Sequence, residues 1–215
     1  MTGRAWVLWG AGVLVAVLVA LTVAVVVHPG PLPGELGYIR WLQARGEPLA
    51  TIADVVRATT GTEAGVVVAV LFAVLLGRRY GRAVLPAVAV ALVAMLVVQP
   101  LYKEIVDRPR PDATQVDVRA EHTSKSFPSG HSLSTTAVWG AAAGFAWTRR
   151  RRAWAVVAAV PVVLTGFSSA VQGVHWPSDA IAGTITGGFA AWVIVQQLNA
   201  DSIALETVVA SPSER

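Results

Sequence analysis

Residues Trp6–Val27 read WVLWGAGVLVAVLVALTVAVVV, a run with no charged side chain. A helix needs about 20 mostly apolar residues to cross the hydrocarbon core of a bilayer. The run exceeds the ~7–15 apolar residues of a cleaved secretory signal, and no small-residue cleavage pattern precedes His28. It reads as a retained membrane helix, and the rest of the chain must be read against a membrane.

Working outward, the composition agrees. Of 215 residues, 54% are hydrophobic and 14% charged, well below the roughly 25% charged of a soluble domain. Five further apolar stretches follow: 59–76, 83–101, 131–147, 153–167 and 180–198. The expected fold is an all-α polytopic bundle of six transmembrane helices. Residues 1–198 form the membrane domain and 199–215 a polar tail of low order. Between the first two spans, 28–58 opens on HPGPLPGE, a proline-rich turn region. Leu36, Ile39, Leu42, Leu49, Ile52, Val55 and Val56 then recur at helical spacing. They predict short interfacial helices that line or roof a site.

The net charge is +4. Its distribution separates a membrane protein from a nucleic-acid binder, which gathers cations on one face. Arg78, Arg79 and Arg82 occupy one tight loop and Arg149 to Arg152 another, with no acid in either. By the positive-inside rule both loops are cytoplasmic. Six spans then put both termini on the cytoplasmic side and segments 28–58, 102–130 and 168–179 on the outer face. The absence of cysteine excludes disulfides and thiolate metal sites.

Three outer segments carry chemistry beyond a helix boundary. KEIVDRPRP (103–111) places Lys103 at a span end, four residues from Asp107 on a continuing helix; Pro109 and Pro111 then stiffen the backbone carrying Arg108 and Arg110. FPSGHS (127–132) offers Ser129 as a helix N-cap, Gly130 where a ligand can approach the backbone, and His131 in the first turn. Amides at such a helix start suit an anion. In SSAVQGVHWPSD (168–179), Asp179 suits the first turn of the last span. Pro177 turns the chain between His175 and Asp179, so the carboxylate can fix the imidazole tautomer and leave one nitrogen as a free lone pair. Cations with helix-start amides make a phosphate clamp, a histidine oriented by aspartate makes a nucleophile, and a second histidine makes a general acid. No carboxylate cluster suggests a metal. The set serves metal-free phosphoryl transfer through a phosphohistidine.

The three segments together resemble the motifs of the type 2 phosphatidic acid phosphatase superfamily, membrane lipid phosphatases whose site is shared with vanadium haloperoxidases. The first, Lys, six residues, Arg-Pro, is met by Lys103 and Arg110-Pro111. The second, Pro-Ser-Gly-His, is met by Pro128 to His131. The third, Ser-Arg, five residues, His, three residues, Asp, is met by Ser168, His175 and Asp179. The resemblance implies that His175 attacks phosphorus, that Asp179 orients it, and that His131 protonates the leaving oxygen and then activates water. It implies that Lys103, Arg110, Ser129 and the Gly130 amide hold phosphoryl oxygens, with no cofactor. At the third motif's arginine position stands Ser169, which carries neither charge nor a bidentate fork. Arg108 or Lys125 substituting in space, a substrate of different charge, or weakened activity would each accommodate it.

The partners implied are a lipid phosphate substrate and membrane lipids, without nucleic acid. Outward-facing candidates are a polyprenyl pyrophosphate or phosphate, phosphatidylglycerophosphate and phosphatidic acid. The alternative is a catalytically weakened or non-catalytic lipid-phosphate-binding membrane subunit. Either reading admits a second copy of the chain, as a homo-oligomer, or a membrane partner subunit. A transporter is disfavoured because no ionisable residue falls mid-span.

Overall fold

The computed structural model describes residues 3–80, 85–120 and 123–210; every described regular element is a helix. In order these are α1 (Gly3–Val27), α2 (Glu35–Gln43), α3 (Glu47–Thr60), α4 (Thr62–Tyr80), α5 (Leu85–Val93), α6 (Gln99–Val106), α7 (Gly130–Thr135), α8 (Ala141–Thr148), α9 (Arg152–Val171) and α10 (Pro177–Ala210). A π-helical turn, Ala94–Val98, joins α5 to α6, and another, Thr136–Gly140, joins α7 to α8. Each pair therefore runs as one long helix with a local bulge.

Among the described residues, four helices are long and apolar enough to cross a membrane: Leu8–Val27, Leu85–Val106, Arg152–Val171 and Pro177–Ala200. Glu47–Thr60 and Glu63–Leu75 meet that standard together, bent by 52°. The stretch expected at 131–147 is helical but less apolar than these. Its first turns carry Ser132, Ser134, Thr135 and Thr136, all buried against neighbouring helices rather than facing outward. α1 is apolar all round and hardly buried, with Leu8, Trp9 and Val19 more than half exposed, as a helix facing lipid should be. The last helix continues to Ala210, past the expected end at Leu198. Residues 199–210 contain neither glycine nor proline and include the good helix formers alanine, leucine and glutamate. Arg82 and Ala83, expected at a loop and a span start, and tail residues 211–215 lie outside the described residues.

The central layer is α10 with the long helix of α7 and α8. Leu133, Ala137 and Val138 pack with Ala190, Ala191 and Ile194, and Ala69 of α4, Ala87 and Ala91 of α5 and Met95 of the π-helical turn after α5 close the cluster. Close approach is possible because α10 presents Gly183 and Gly187: a Cβ at either would overlap the carbonyl of Ser129 or Leu133 on α7. That approach lets Ser129 N–H donate to Asp179 O at 2.9 Å and joins the starts of α7 and α10. The second cluster places Ile39 and Leu42 of α2 and Ala53 of α3 against Ala170, Val171 and Trp176. α2 and α3 thus cover the end of the bundle where α6 ends, α7 begins, α9 ends and α10 begins. The Arg149–Arg152 loop joins α8 to α9 at their other ends.

Candidate active site

The segment from α9 to α10 sets the geometry. α9 ends in a tight turn at Gly173, whose φ of 64° is left-handed and whose missing side chain leaves room for the Asp117 carbonyl. Val174 and His175 follow, and Pro177 opens α10 at a position where its missing N–H costs nothing. Asp179, three residues after Trp176, accepts the Trp176 N–H at 2.8 Å on Oδ2, one half of a capping box. The same oxygen accepts from Ser126 Oγ and lies 3.4 Å from His175 Nδ1. Oδ1 accepts from Arg108 at 2.6 Å. Helix capping and imidazole orientation, separate readings of Asp179 in the sequence, are one arrangement. An acceptor-only carboxylate suits four surrounding donors.

His175 is 1% exposed. With Nδ1 turned to Asp179, Nε2 faces Arg110 Nη1 at 3.1 Å. Burial, reinforced by the charges of Arg110, Lys103, Arg57 and His131, holds this imidazole well below its ordinary pKa. The ring is neutral at physiological pH and carries a lone pair on Nε2. Arg110 itself is anchored on the backbone oxygens of Ser124 (2.7 Å) and Val174 (2.6 Å) and on Ser124 Oγ (3.1 Å). Burial pulls its pKa down to about 10, and it remains charged. Lys103 reaches the same strip, Ser124 Oγ at 3.2 Å and Lys125 O at 2.7 Å. Two cations therefore converge beside the His175 lone pair.

Ser129 caps α7, its Oγ accepting from Ser132 N–H, and Gly130 is the first helical residue, with Gln99 packed where its Cβ would be. His131 follows. A Cβ added to Gly61, just past α3, would stand 3.3 Å from His131 Nε2, so α3 ends against this ring. The backbone bond from Ser129 to Asp179 ties the start of α7 to the histidine–aspartate pair. Ser169, buried near the end of α9, donates to Thr165 O at 3.1 Å within its own helix.

Three expectations are corrected. Lys103 and Asp107 do not share a helical face: α6 stops at Val106, and Asp107 is left-handed (φ 52°) and pairs with Lys125. Arg108 does not stand in for an arginine at 169. It is fully buried, its guanidinium held by Glu35 (2.8 Å), Asp179 (2.6 Å), Ser178 Oγ (2.7 Å) and the carbonyl of Gly30 (2.9 Å). Lys125, held by Asp107, is turned to that surface pair.

Sequence reasoning missed Glu35, Ser124 and Ser126. Glu35 is buried and accepts from Ser178 N–H and Oγ as well as from Arg108. In sequence it is only an acid at a helix start after Gly34, which the helix dipole explains by itself. Ser124 and Ser126 sit in a loop with no periodic signal. Among the described residues no group of three or more His, Cys, Asp or Glu is placed to hold a metal ion.

The family profile of the PAP2 superfamily matches residues 82–202. The chain is 32% identical over 91 residues to Phosphatidylglycerophosphatase B of Bacillus subtilis (strain 168), a match covering 40% of this chain and 43% of that protein. It is 37% identical over 76 residues to Undecaprenyl-diphosphatase of Sulfolobus acidocaldarius, covering 34% of each. The matched stretches thus span less than half the length of these curated relatives. The crystal structure of the first transmembrane PAP2 type phosphatidylglycerolphosphate phosphatase from Bacillus subtilis superposes with a TM-score of 0.71, covering 86% of this chain and 93% of that one at 20% identity. That likeness is one of fold.

Proposed function

The chain belongs to the PAP2 superfamily, and from that premise we propose that it is an integral-membrane lipid phosphatase working through a phosphohistidine. The observation that carries the reading is the chain of contacts from Asp179 through His175 Nδ1 to an Nε2 that faces Arg110.

The steps follow from those atoms. His175 Nε2 attacks phosphorus in line with the leaving oxygen. Arg110 and Lys103, with the amides at the start of α7, take the charge spread over the phosphoryl oxygens. The imidazole becomes cationic as the N–P bond forms, and Asp179 stabilises that charge across Nδ1–H. His131 gives its proton to the departing oxygen as the P–O bond breaks. In the second half it takes a proton from water, whose oxygen attacks phosphorus, and the N–P bond breaks to return neutral His175. No step requires a metal.

The substrate class is a phosphomonoester or pyrophosphate on a lipid. The favoured member is a polyprenyl pyrophosphate or phosphate, ahead of phosphatidylglycerophosphate and phosphatidic acid. The site lies at the end of the bundle away from the Arg149–Arg152 loop, and the positive-inside rule puts that loop in the cytoplasm. We therefore place the site on the outer face of a plasma membrane, with both termini cytoplasmic.

The test is phosphate release by purified protein in detergent from farnesyl pyrophosphate, phosphatidylglycerophosphate and dioctanoyl phosphatidic acid, each with and without excess chelator. Release from at least one, unchanged by chelator, is expected. No release from any substrate would favour the non-catalytic lipid-phosphate-binding subunit, for which the inward-turned Ser169 speaks. Loss on chelation restored by Mg²⁺ would end the metal-free mechanism.

The acidic limb gives a further expectation. A nucleophile with a depressed pKa keeps its lone pair as pH falls. The acid limb of kcat/KM, which reports the free enzyme, should therefore have its midpoint below the 6.5 of an ordinary histidine. A His175 limb at or above 6.5 would contradict the burial argument.

A further inference from the structure

α3 and α9 pack side by side, and two contacts fix their register. Near the middle of α3, Asp54 Oδ1 accepts from Gln172 Nε2 at 2.6 Å, and Gln172 caps α9. At the end of α3, Thr60 O accepts from Thr135 Oγ1 at 3.0 Å, and Thr135 Oγ1 lies 3.5 Å from Thr165 Oγ1 on α9. Passing from Asp54 to Thr60 on α3 thus corresponds to passing from Gln172 back to Thr165 on α9, so the helices run antiparallel. With equal rise per residue, the midpoint of the first interval, Arg57, stands opposite the midpoint of the second, Ser168 and Ser169.

Both serines are small, buried and hydrogen-bonded to Thr165 O in their own helix. They leave room on this side of α9 and contribute no charge to it. Arg57 lies on the face of α3 that carries Ala50, Ala53 and Thr60, all buried, one turn before Gly61. Gly61 is the residue against which His131 packs. Arg57 thus stands on α3 between the level of Ser168 and Ser169 on α9 and the turn at Gly61 that meets His131. Its charge reaches the site: after burial, it is the largest influence lowering the Arg110 pKa, and it acts on His175 as well. Arg57, Lys103 and Arg110, three like charges each partly or wholly buried, repel one another, an arrangement that an incoming dianion relieves.

We infer that Arg57 is a third phosphate-binding cation of this site, reaching from α3 the position that the side chain of Ser169 on α9 leaves uncharged. The inference rests on the phosphatase reading above. A planar guanidinium can grip two phosphoryl oxygens at once, which a serine hydroxyl cannot.

The experiment uses the full chain in detergent and two readouts, phosphate release and inhibition by inorganic phosphate. Binding of inorganic phosphate is also followed directly by ³¹P NMR. Arg57→Met keeps the apolar stem and removes the charge. It is expected to lower kcat/KM roughly 10²-fold and to weaken inhibition by inorganic phosphate about tenfold or more. Arg57→Lys should fall between the two proteins. Adding Ser169→Arg to Arg57→Met should recover much of the loss, because the guanidinium then enters from the facing helix. Phosphate inhibition unchanged in Arg57→Met, or in Arg57→Lys should the methionine variant not fold, overturns the inference; so does failure of the double variant to regain any phosphate binding. If the native chain releases no phosphate from any lipid, the phosphatase reading falls, and the NMR comparison still judges Arg57 by itself.

Discussion

Replacing His175 with alanine is expected to abolish phosphate release, a loss of at least roughly 10⁴-fold, the scale seen when a covalent nucleophile is removed. His175 Nε2 is the basic nitrogen that faces the two converging cations, and Nδ1 is already turned to Asp179. Water in place of the ring would lack both its nucleophilicity and its orientation. His131→Ala should behave differently. A pyrophosphate leaves readily and depends less on a proton from His131, whereas hydrolysis of the phosphoenzyme depends on His131 as base. Brief reaction of His131→Ala with ³²P-labelled farnesyl pyrophosphate should therefore trap label on the protein, stable to alkali and lost in acid, as a phosphoramidate requires. His175→Ala should trap none. Label persisting in His175→Ala, or native turnover in that variant, would remove the nucleophile from the mechanism.

Arg108→Ala is expected to be the most damaging substitution for stability, by about 3–5 kcal/mol, because it strips the partner from two buried carboxylates. Arg108 and Asp179 are fully buried, and Glu35 is almost so. Its Nη1 serves Asp179 and Ser178 while its Nη2 serves Glu35 and Gly30, so one planar cation holds the start of α2 against the start of α10. Without it the two acids share a cavity, and the orientation of Asp179 toward His175 loses its support. Arg108→Lys should recover only part, since an ammonium cannot reproduce the fork. Thermal unfolding in detergent is the measurement, with Arg119→Ala as the comparison: Arg119 pairs with exposed Glu47 and Asp117, where little is expected. Equal stability of Arg108→Ala and Arg119→Ala would show that the buried network does not hold this end of the bundle together.

Much of this was legible in the chain. Trp6–Val27, the paired arginine loops and the low charge fix an all-helical membrane protein, because a lipid environment leaves a backbone few alternatives. Lys103, Arg110, His131, His175 and Asp179 stood out because ionisable groups at the ends of apolar runs are costly to keep without a purpose. Glu35 and Arg57 gave no such signal. Each sits in an amphipathic segment where a charge is ordinary, and each acquires meaning only from what the roofing helices meet on folding. The same holds for Arg108, which reads in sequence as a spare cation and is in the structure the internal counter-ion of two acids.

Hydropathy and residue type are local properties, so the chain alone shows which segments favour membrane helices and which side chains could do phosphoryl chemistry. Which cations face the imidazole, and which are consumed in holding the bundle together, emerges from packing. A charge is assigned its role by its nearest buried neighbours, and those neighbours, such as Glu35 and Asp179 around Arg108, come from residues far apart in the chain.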